Sequence, residues 1–136
     1  MTGQTKKKSV LIVDDDTDFV KLYEQAFSEV SYSVDYSLTV PEAEKLIKDK
    51  KYDVILLDIL FPNADALSTI RVIRSKKSPN SETPIVVLTN LDFGEKTNKA
   101  LEYGANKCLL KVNNTPKTIL EITDRLVGNN SLQKDN

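Results

Sequence analysis

Hydrophobic residues along the chain fall into five short, nearly continuous runs, separated by longer stretches in which apolar and polar residues mix. Short runs rich in β-branched residues are typical of parallel strands that are covered on both faces of a sheet. The runs predict strands at residues 10–13, 33–36, 54–57, 85–88 and 108–110.

The intervening stretches place apolar residues three and four positions apart, which is the period of an amphipathic helix. The pattern is weakest at residues 95–103, where only Ala100 and Leu101 are clearly apolar. The residues that define the other four helices are Phe19, Val20, Tyr23, Phe27 and Val30; Ala43, Leu46 and Ile47; Leu67, Ile70 and Ile73; and Ile119, Ile122 and Leu126.

Signals for helix ends support these boundaries. Thr39 and Glu42 have the spacing of a capping box, and Thr115 before Pro116 predicts an N-cap followed by proline in the first turn. Gly128 predicts the end of the last helix.

Strict alternation of strands and helices predicts an α/β fold, a single doubly wound five-stranded parallel sheet with helices on both faces. Such sheets bind ligands in a crevice at the carboxyl ends of their strands. The residues that directly follow each apolar run are therefore the candidates for a site.

Length and composition narrow the classes of function. The 136 residues fit one folded domain at 9–127, with a flexible N-terminal arm at 1–8 and a polar C-terminal tail at 128–136. A net charge of −1 favours neither nucleic acid nor an acidic membrane surface as a partner. No run reaches the roughly 18 apolar residues of a membrane span, and the single cysteine, Cys108, is typical of a cytoplasmic protein. Histidine is absent, so a bound metal would be held by oxygen, which favours Mg²⁺, with Mn²⁺ possible.

Charged and hydroxyl side chains follow four of the five runs. Asp14, Asp15 and Asp16 follow the first, Asp58 the third, Thr89 the fourth and Lys111 the fifth. Asp16 by itself is better explained as the N-cap of the first helix. Two carboxylates about 4 Å apart repel by roughly 4 kcal/mol at an effective dielectric of 20. Gathering the acids therefore requires cations, for which Lys111 and a divalent ion are available.

An acid shielded in this way can act as a nucleophile. With Mg²⁺ bound, Asp58 could attack a phosphoryl donor and form an aspartyl-phosphate. Lys111 and the Thr89 hydroxyl are suited to stabilise the phosphoryl oxygens.

The motifs LIVDDD, VILLDILFP, PIVVLTN and GANKCLLK resemble, in type and spacing, the receiver domain of two-component response regulators, over residues 8–127. The resemblance implies the flavodoxin-like (βα)5 fold with strand order 2-1-3-4-5. It implies that Asp58 is the phosphoacceptor, that Asp15 binds Mg²⁺ directly and Asp14 through water, and that the main-chain oxygen of Leu60 is a further ligand. Thr89 and Lys111 would hold the phosphoryl oxygens.

The resemblance also implies a function and partners. The chain would be a phosphorylation-activated signalling switch rather than an enzyme, with a sensor histidine kinase or a His phosphotransfer protein as donor. Output would use the face formed by the fourth helix, the fifth strand and the fifth helix, which could also form a homodimer.

Several positions depart from the family pattern. Cys108 replaces the usual aromatic residue, and Val112 replaces the usual proline, so we expect a trans peptide bond there. Asn63 is the candidate for a positive φ in a loop that commonly contains glycine. Leu60 and Leu91 would cover the acceptor and slow its dephosphorylation.

Three alternatives stay open. A pseudo-receiver would keep the fold and bind partners without phosphate, consistent with Cys108 and Val112. A haloacid-dehalogenase-type phosphatase would use the Asp-x-Asp of residues 14–16, although Thr17 comes one place early and Asp58 stays unexplained. A flavodoxin-like cofactor binder is less consistent, because a phosphate cradle needs glycine and backbone N–H groups where this chain is acidic.

Overall fold

Five parallel strands form one sheet in the order β2-β1-β3-β4-β5, as the resemblance implied. The computed structural model describes residues 7–90 and 94–135, and the side chains of 7–90 and 94–128. Each strand lies within two residues of its predicted bounds. The strands are β1 (Lys8–Val13), β2 (Tyr32–Ser37), β3 (Val54–Leu57), β4 (Ile85–Thr89) and β5 (Lys107–Leu110).

Helices cover both faces of the sheet, so the doubly wound α/β prediction is confirmed. Alternate residues of β1 point to opposite faces: Leu11 and Val13 pack in one apolar cluster, Val10 and Ile12 in the other. The first cluster includes residues of α2, α3 and α4, and the second includes residues of α1 and α5. The helices are α1 (Thr17–Glu29), α2 (Val40–Asp49), α3 (Ala66–Arg74), α4 (Glu95–Tyr103) and α5 (Pro116–Asp135).

The register of the strands aligns their carboxyl ends. Val13 of β1 pairs with Ser37 of β2 and with Leu57 of β3, and Thr89 of β4 pairs with Leu110 of β5. The residues that follow these strands therefore lie along one edge of the sheet.

The predicted helix starts are correct except for one detail. Asp16 caps α1 by accepting from the amides of Asp18 and Phe19, and Thr115 caps α5 through the amide of Thr118. The capping box at α2 is wrong in its second half. Thr39 accepts from the amide of Glu42, but the amide of Thr39 donates to the hydroxyl of Ser37. The Ser37 hydroxyl in turn donates to the carboxylate of Glu42 at 3.2 Å, because Ser37 lies buried beside the cap at the end of β2.

Two predictions about backbone turns are wrong, and one is confirmed. Helix α5 continues through Gly128 to Asp135, because Gly128 lacks the positive φ that would end a helix. Among the described residues positive φ occurs at Ser31 (72°) and Gly104 (124°), so Asn63 does not have one. The peptide bond before Val112 is trans, as expected, and residues Lys111–Asn113 form a short 3₁₀ turn.

Arg74, the last residue of α3, ties together the edge of the sheet opposite the carboxyl ends. Its guanidinium donates to the carbonyl of Gly104 at 2.9 and 3.1 Å and to the side chain of Asn106 at 3.0 Å. It also donates to three carbonyls of the loop between α3 and β4, those of Asn80, Ser81 and Thr83. Within the described part of the chain, no helix has the length and hydropathy needed to cross a membrane.

Candidate functional site

Three carboxylates meet at the carboxyl edge of the sheet, where β1 and β3 end side by side. One oxygen from each of Asp14, Asp15 and Asp58 lies within 4.8 Å of the others. Asp14 and Asp58 are only 1% and 6% exposed, whereas Asp15 faces solvent. The Asp58 amide bonds to the carbonyl of Val13 at 2.9 Å, so the sheet itself sets the position of this acid.

Lys111 reaches this group from the end of β5. Its ammonium lies 2.6 Å from Asp14 Oδ2 and 3.2 Å from Asp58 Oδ2, and its side chain is 10% exposed. Three carboxylates and one ammonium leave a net charge of −2 when all are ionised. Two charges concentrated in a poorly solvated place are costly unless a further cation joins them.

Backbone amides fix the other oxygen of each buried acid. Asp14 Oδ1 accepts from the amide of Asp16 at 3.0 Å, and Asp58 Oδ1 accepts from the amide of Leu60 at 2.9 Å. The other oxygen of each acid, Oδ2, contacts the ammonium of Lys111. The ion pair at Asp14 Oδ2 lies outside hydrogen-bond angles, so this buried oxygen has no hydrogen bond from the described residues.

Burial and charge change the acidity of these groups. Burial is the main cause that raises the pKa of Asp14 and of Asp58 above the ordinary value, and the neighbouring carboxylates add to it. Burial alone would lower the pKa of Lys111, but its ion pairs with the two acids outweigh this and raise it. The protonated lysine is thus stabilised, while the two ionised acids are not fully compensated.

The donor set fits a hard divalent cation. It offers carboxylate oxygens, one of them buried without a hydrogen bond, and a net charge of −2. Mg²⁺ is usually bound by one or two carboxylates and keeps several waters, which the exposed Asp15 would allow. Soft metals such as zinc prefer sulfur or imidazole ligands.

The remaining predicted residues lie on the same edge. Thr89, 1% exposed, ends β4 opposite Leu110, the residue before Lys111. Leu60 contributes its amide to Asp58, and its side chain is 37% exposed. Leu91 falls outside the described residues.

Cys108 is not part of the site. Its thiol lies 3.7 Å from the carbonyl of Thr97 in α4, and the residue packs against the apolar cluster, as expected. Burial raises the pKa of this thiol, so it is less reactive than the thiol of a solvent-exposed cysteine.

Sequence reasoning missed Phe19. The sequence assigned this residue only to the apolar face of the first helix. Its ring packs against the core and also lies 4.3 Å from the ammonium of Lys111. The sequence carried one partial signal, the spacing of four residues between Phe19 and Tyr23, which permits ring stacking on a helix.

Comparison with known proteins places this geometry in context. The family model "Response regulator receiver domain" matches residues 10–123. The transcriptional regulatory protein ResD of Bacillus subtilis (strain 168) is 30% identical over 121 residues, which cover 88% of this chain and 48% of ResD. This chain spans about half the length of that relative. It spans a smaller share of the other curated relatives compared.

Two solved structures have the same fold. The receiver domain of the Francisella response regulator 1452 aligns with a TM-score of 0.79 at 26% identity, covering 90% of this chain and 98% of that one. The receiver domain of the sensor histidine kinase PA1611 from Pseudomonas aeruginosa PAO1 aligns with a TM-score of 0.79 at 24% identity, covering 90% and 99%. That structure has a magnesium ion coordinated in its active site cleft.

Proposed function

Because the chain belongs to the response regulator receiver domain family, we propose that it is a phosphorylation-activated signalling switch whose phosphoacceptor is Asp58. The observation that carries the proposal is the meeting of Asp14, Asp15 and Asp58 with the buried ammonium of Lys111. This arrangement is costly as a structural element alone, because a buried group of like charges destabilises the fold.

In the proposed reaction, an oxygen of Asp58 attacks the phosphorus of a phosphohistidine on a sensor kinase or a phosphotransfer protein. The new O–P bond forms as the P–N bond breaks, and the leaving imidazole takes up a proton. Mg²⁺, held by Asp14, Asp15, Asp58 and the main-chain oxygen of Leu60, would supply charge neutralisation for two anions that approach one another.

Side chains of this chain would hold the transferred group. Lys111, already 3.2 Å from Asp58, carries the positive charge that meets the phosphoryl oxygens. Thr89, at the end of the neighbouring strand, has the hydroxyl that would donate to them. The register of β3, β4 and β5 supports these roles, because it brings the ends of the three strands to one edge of the sheet.

The test is incubation with acetyl phosphate and Mg²⁺, followed by intact mass measurement. We expect the wild-type protein to gain one phosphoryl group and Asp58→Asn to gain none. Asp49→Asn, which changes an exposed acid at the end of α2, is the matched control and should behave as wild type. Uptake by Asp58→Asn, or no uptake by the wild type, would contradict the assignment.

Output would use the face of α4, β5 and α5.

A slow loss of phosphate would follow from apolar side chains that cover Asp58. Of the two leucines proposed to form this cover, Leu60 lies within the described residues, two positions after Asp58, and its amide donates to that acid. Replacing Leu60 and Leu91 with polar residues should speed dephosphorylation, which loss of the phosphorylated mass with time would measure.

A phosphorylation-independent binding module is the second candidate. It is favoured by Cys108, which packs beneath α4 where the family usually has an aromatic residue, and by the exposed Val112 after the lysine. Failure of the mass test with a folded protein would favour it. A dehalogenase-type phosphatase is disfavoured, because Asp16 Oδ1 is engaged in capping α1.

A further inference from the structure

The ammonium of Lys111 has a third neighbour besides its two carboxylates. The ring of Phe19, in the first turn of α1, lies with its centroid 4.3 Å from Nζ. Phe19 is half-buried and the lysine side chain is 10% exposed. A cation over an aromatic face is attracted by the negative potential of the ring, and more strongly where water is excluded.

The ring is itself held from two sides. The backbone amide of Phe19 donates to the side chain of the N-cap Asp16 at 3.1 Å, which fixes the first turn of α1. The ring stacks on Tyr23, with centroids 4.1 Å apart and planes 23° apart, and Tyr23 is buried in the core. Phe19 therefore gives a firm surface against which a flexible lysine can rest.

A lysine side chain has four rotatable bonds, and its ammonium is a point charge without a preferred fork geometry. The two carboxylates alone do not fix its position, since the ammonium could move outward to water and keep one of them. The aromatic face occupies a further side of the ammonium and favours the position between Asp14 and Asp58.

We propose that Phe19 is a positioning residue for phosphoryl transfer, which holds the Lys111 ammonium where it meets the incoming phosphoryl group. This inference rests on the proposed function of Asp58 and adds a residue to it. An aliphatic side chain of similar bulk would fill the space but would lack the negative face, so the aromatic character is the property to be tested.

The first experiment detects the contact without any phosphodonor. In NMR spectra the ε-methylene protons of Lys111 should be shifted upfield by the ring current of Phe19. The shift should persist in Phe19→Tyr and disappear in Phe19→Leu. Lys111 protons at ordinary positions in the wild-type protein would overturn the proposal.

The second experiment measures the role in catalysis. Phenylalanine with one, two and three fluorines is incorporated at position 19, which weakens the negative face of the ring and nearly preserves its shape. Initial rates of phosphorylation by acetyl phosphate with Mg²⁺ should fall stepwise, by about two- to thirtyfold overall, the range that the usual strength of a cation–π contact implies. Rates that stay constant or rise along the series would refute the role.

The matched control is the same series at Phe27. Phe27 lies on the same helix but packs edge-on against Tyr32, with centroids 4.9 Å apart and planes 87° apart. Fluorination there should leave the rate unchanged, so an equal fall at both positions would mean a general structural effect and overturn the proposal. An inactive wild type would refute the proposed function itself, whereas an active wild type with a flat series at position 19 refutes only this inference.

Discussion

Magnesium should stabilise the folded protein, and the size of this effect should depend on pH. The carboxylate oxygens of the cluster lie within 4.8 Å of one another, where two charges repel by roughly 3.5 kcal/mol at an effective dielectric of 20. Lys111 compensates part of this repulsion, and an added divalent cation would remove the rest. At a magnesium concentration about 100 times the dissociation constant, binding adds about 2.7 kcal/mol to the free energy of unfolding. For a domain of this size we expect Tm to rise by roughly 10 °C.

The direction of the pH dependence follows from the two buried acids. The folded state raises the pKa of Asp14 and of Asp58 above 3.8, mainly through burial. Without metal, their contribution to stability is therefore fully present below that value and is lost as pH rises through the raised pKa values. Magnesium requires the ionised acids, so its stabilising effect should be smaller near pH 3.8, the ordinary pKa of an aspartate, than near neutral pH.

Differential scanning calorimetry with and without Mg²⁺ at both pH values measures this dependence. Asp14→Asn should lose most of the magnesium-dependent rise in Tm, while Asp49→Asn, an exposed acid, should keep it. The same rise at both pH values, or an undiminished rise in Asp14→Asn, would refute the link between the cluster and the metal.

Three further substitutions test how the fold is held together, each by urea unfolding. Lys111→Met should lower the free energy of unfolding by about 3 kcal/mol, because it leaves two buried carboxylates without their cation, and Mg²⁺ should restore part of the loss; an unchanged midpoint would contradict this. Arg74→Lys should cost about 2 kcal/mol, since an ammonium cannot donate to Gly104 and to the loop before β4 together; full retention of stability would show the contacts to be dispensable. Gly104→Ala should cost about 2 kcal/mol, because φ is 124° and the new methyl group would lie 2.9 Å from Arg74, and the costs of the two substitutions should not add.

The strands, and the functional residues that follow them, could be predicted from the sequence because strands buried on both faces have a simple pattern. Residues 54–57 and 85–89 are buried throughout, so nearly every position must be apolar, and the first polar residue marks the end of the strand. The gathering of Asp14, Asp58 and Lys111 then follows from parallel alignment alone. No detail of side-chain packing was needed to predict that these groups meet.

What could not be predicted depends on contacts between distant segments. The capping box at Thr39 was altered by Ser37, a neighbour whose hydroxyl competes for both partners. Gly128 carried a stop signal, but the backbone there does not adopt the conformation that this signal requires. The approach of Phe19 to Lys111 depends on the rotation of α1 and on two side-chain rotamers, and local spacing does not encode these.

The contacts of Arg74 have a consequence for how the domain opens. The guanidinium links the end of α3, the loop before β4 and the turn between α4 and β5, and Asn106 in turn accepts from the amide of Ile85. These segments should therefore come apart as one cooperative unit, with a shared free energy of opening in native-state hydrogen exchange. Loops at the carboxyl edge are not part of these contacts, so they could fluctuate while that unit stays folded.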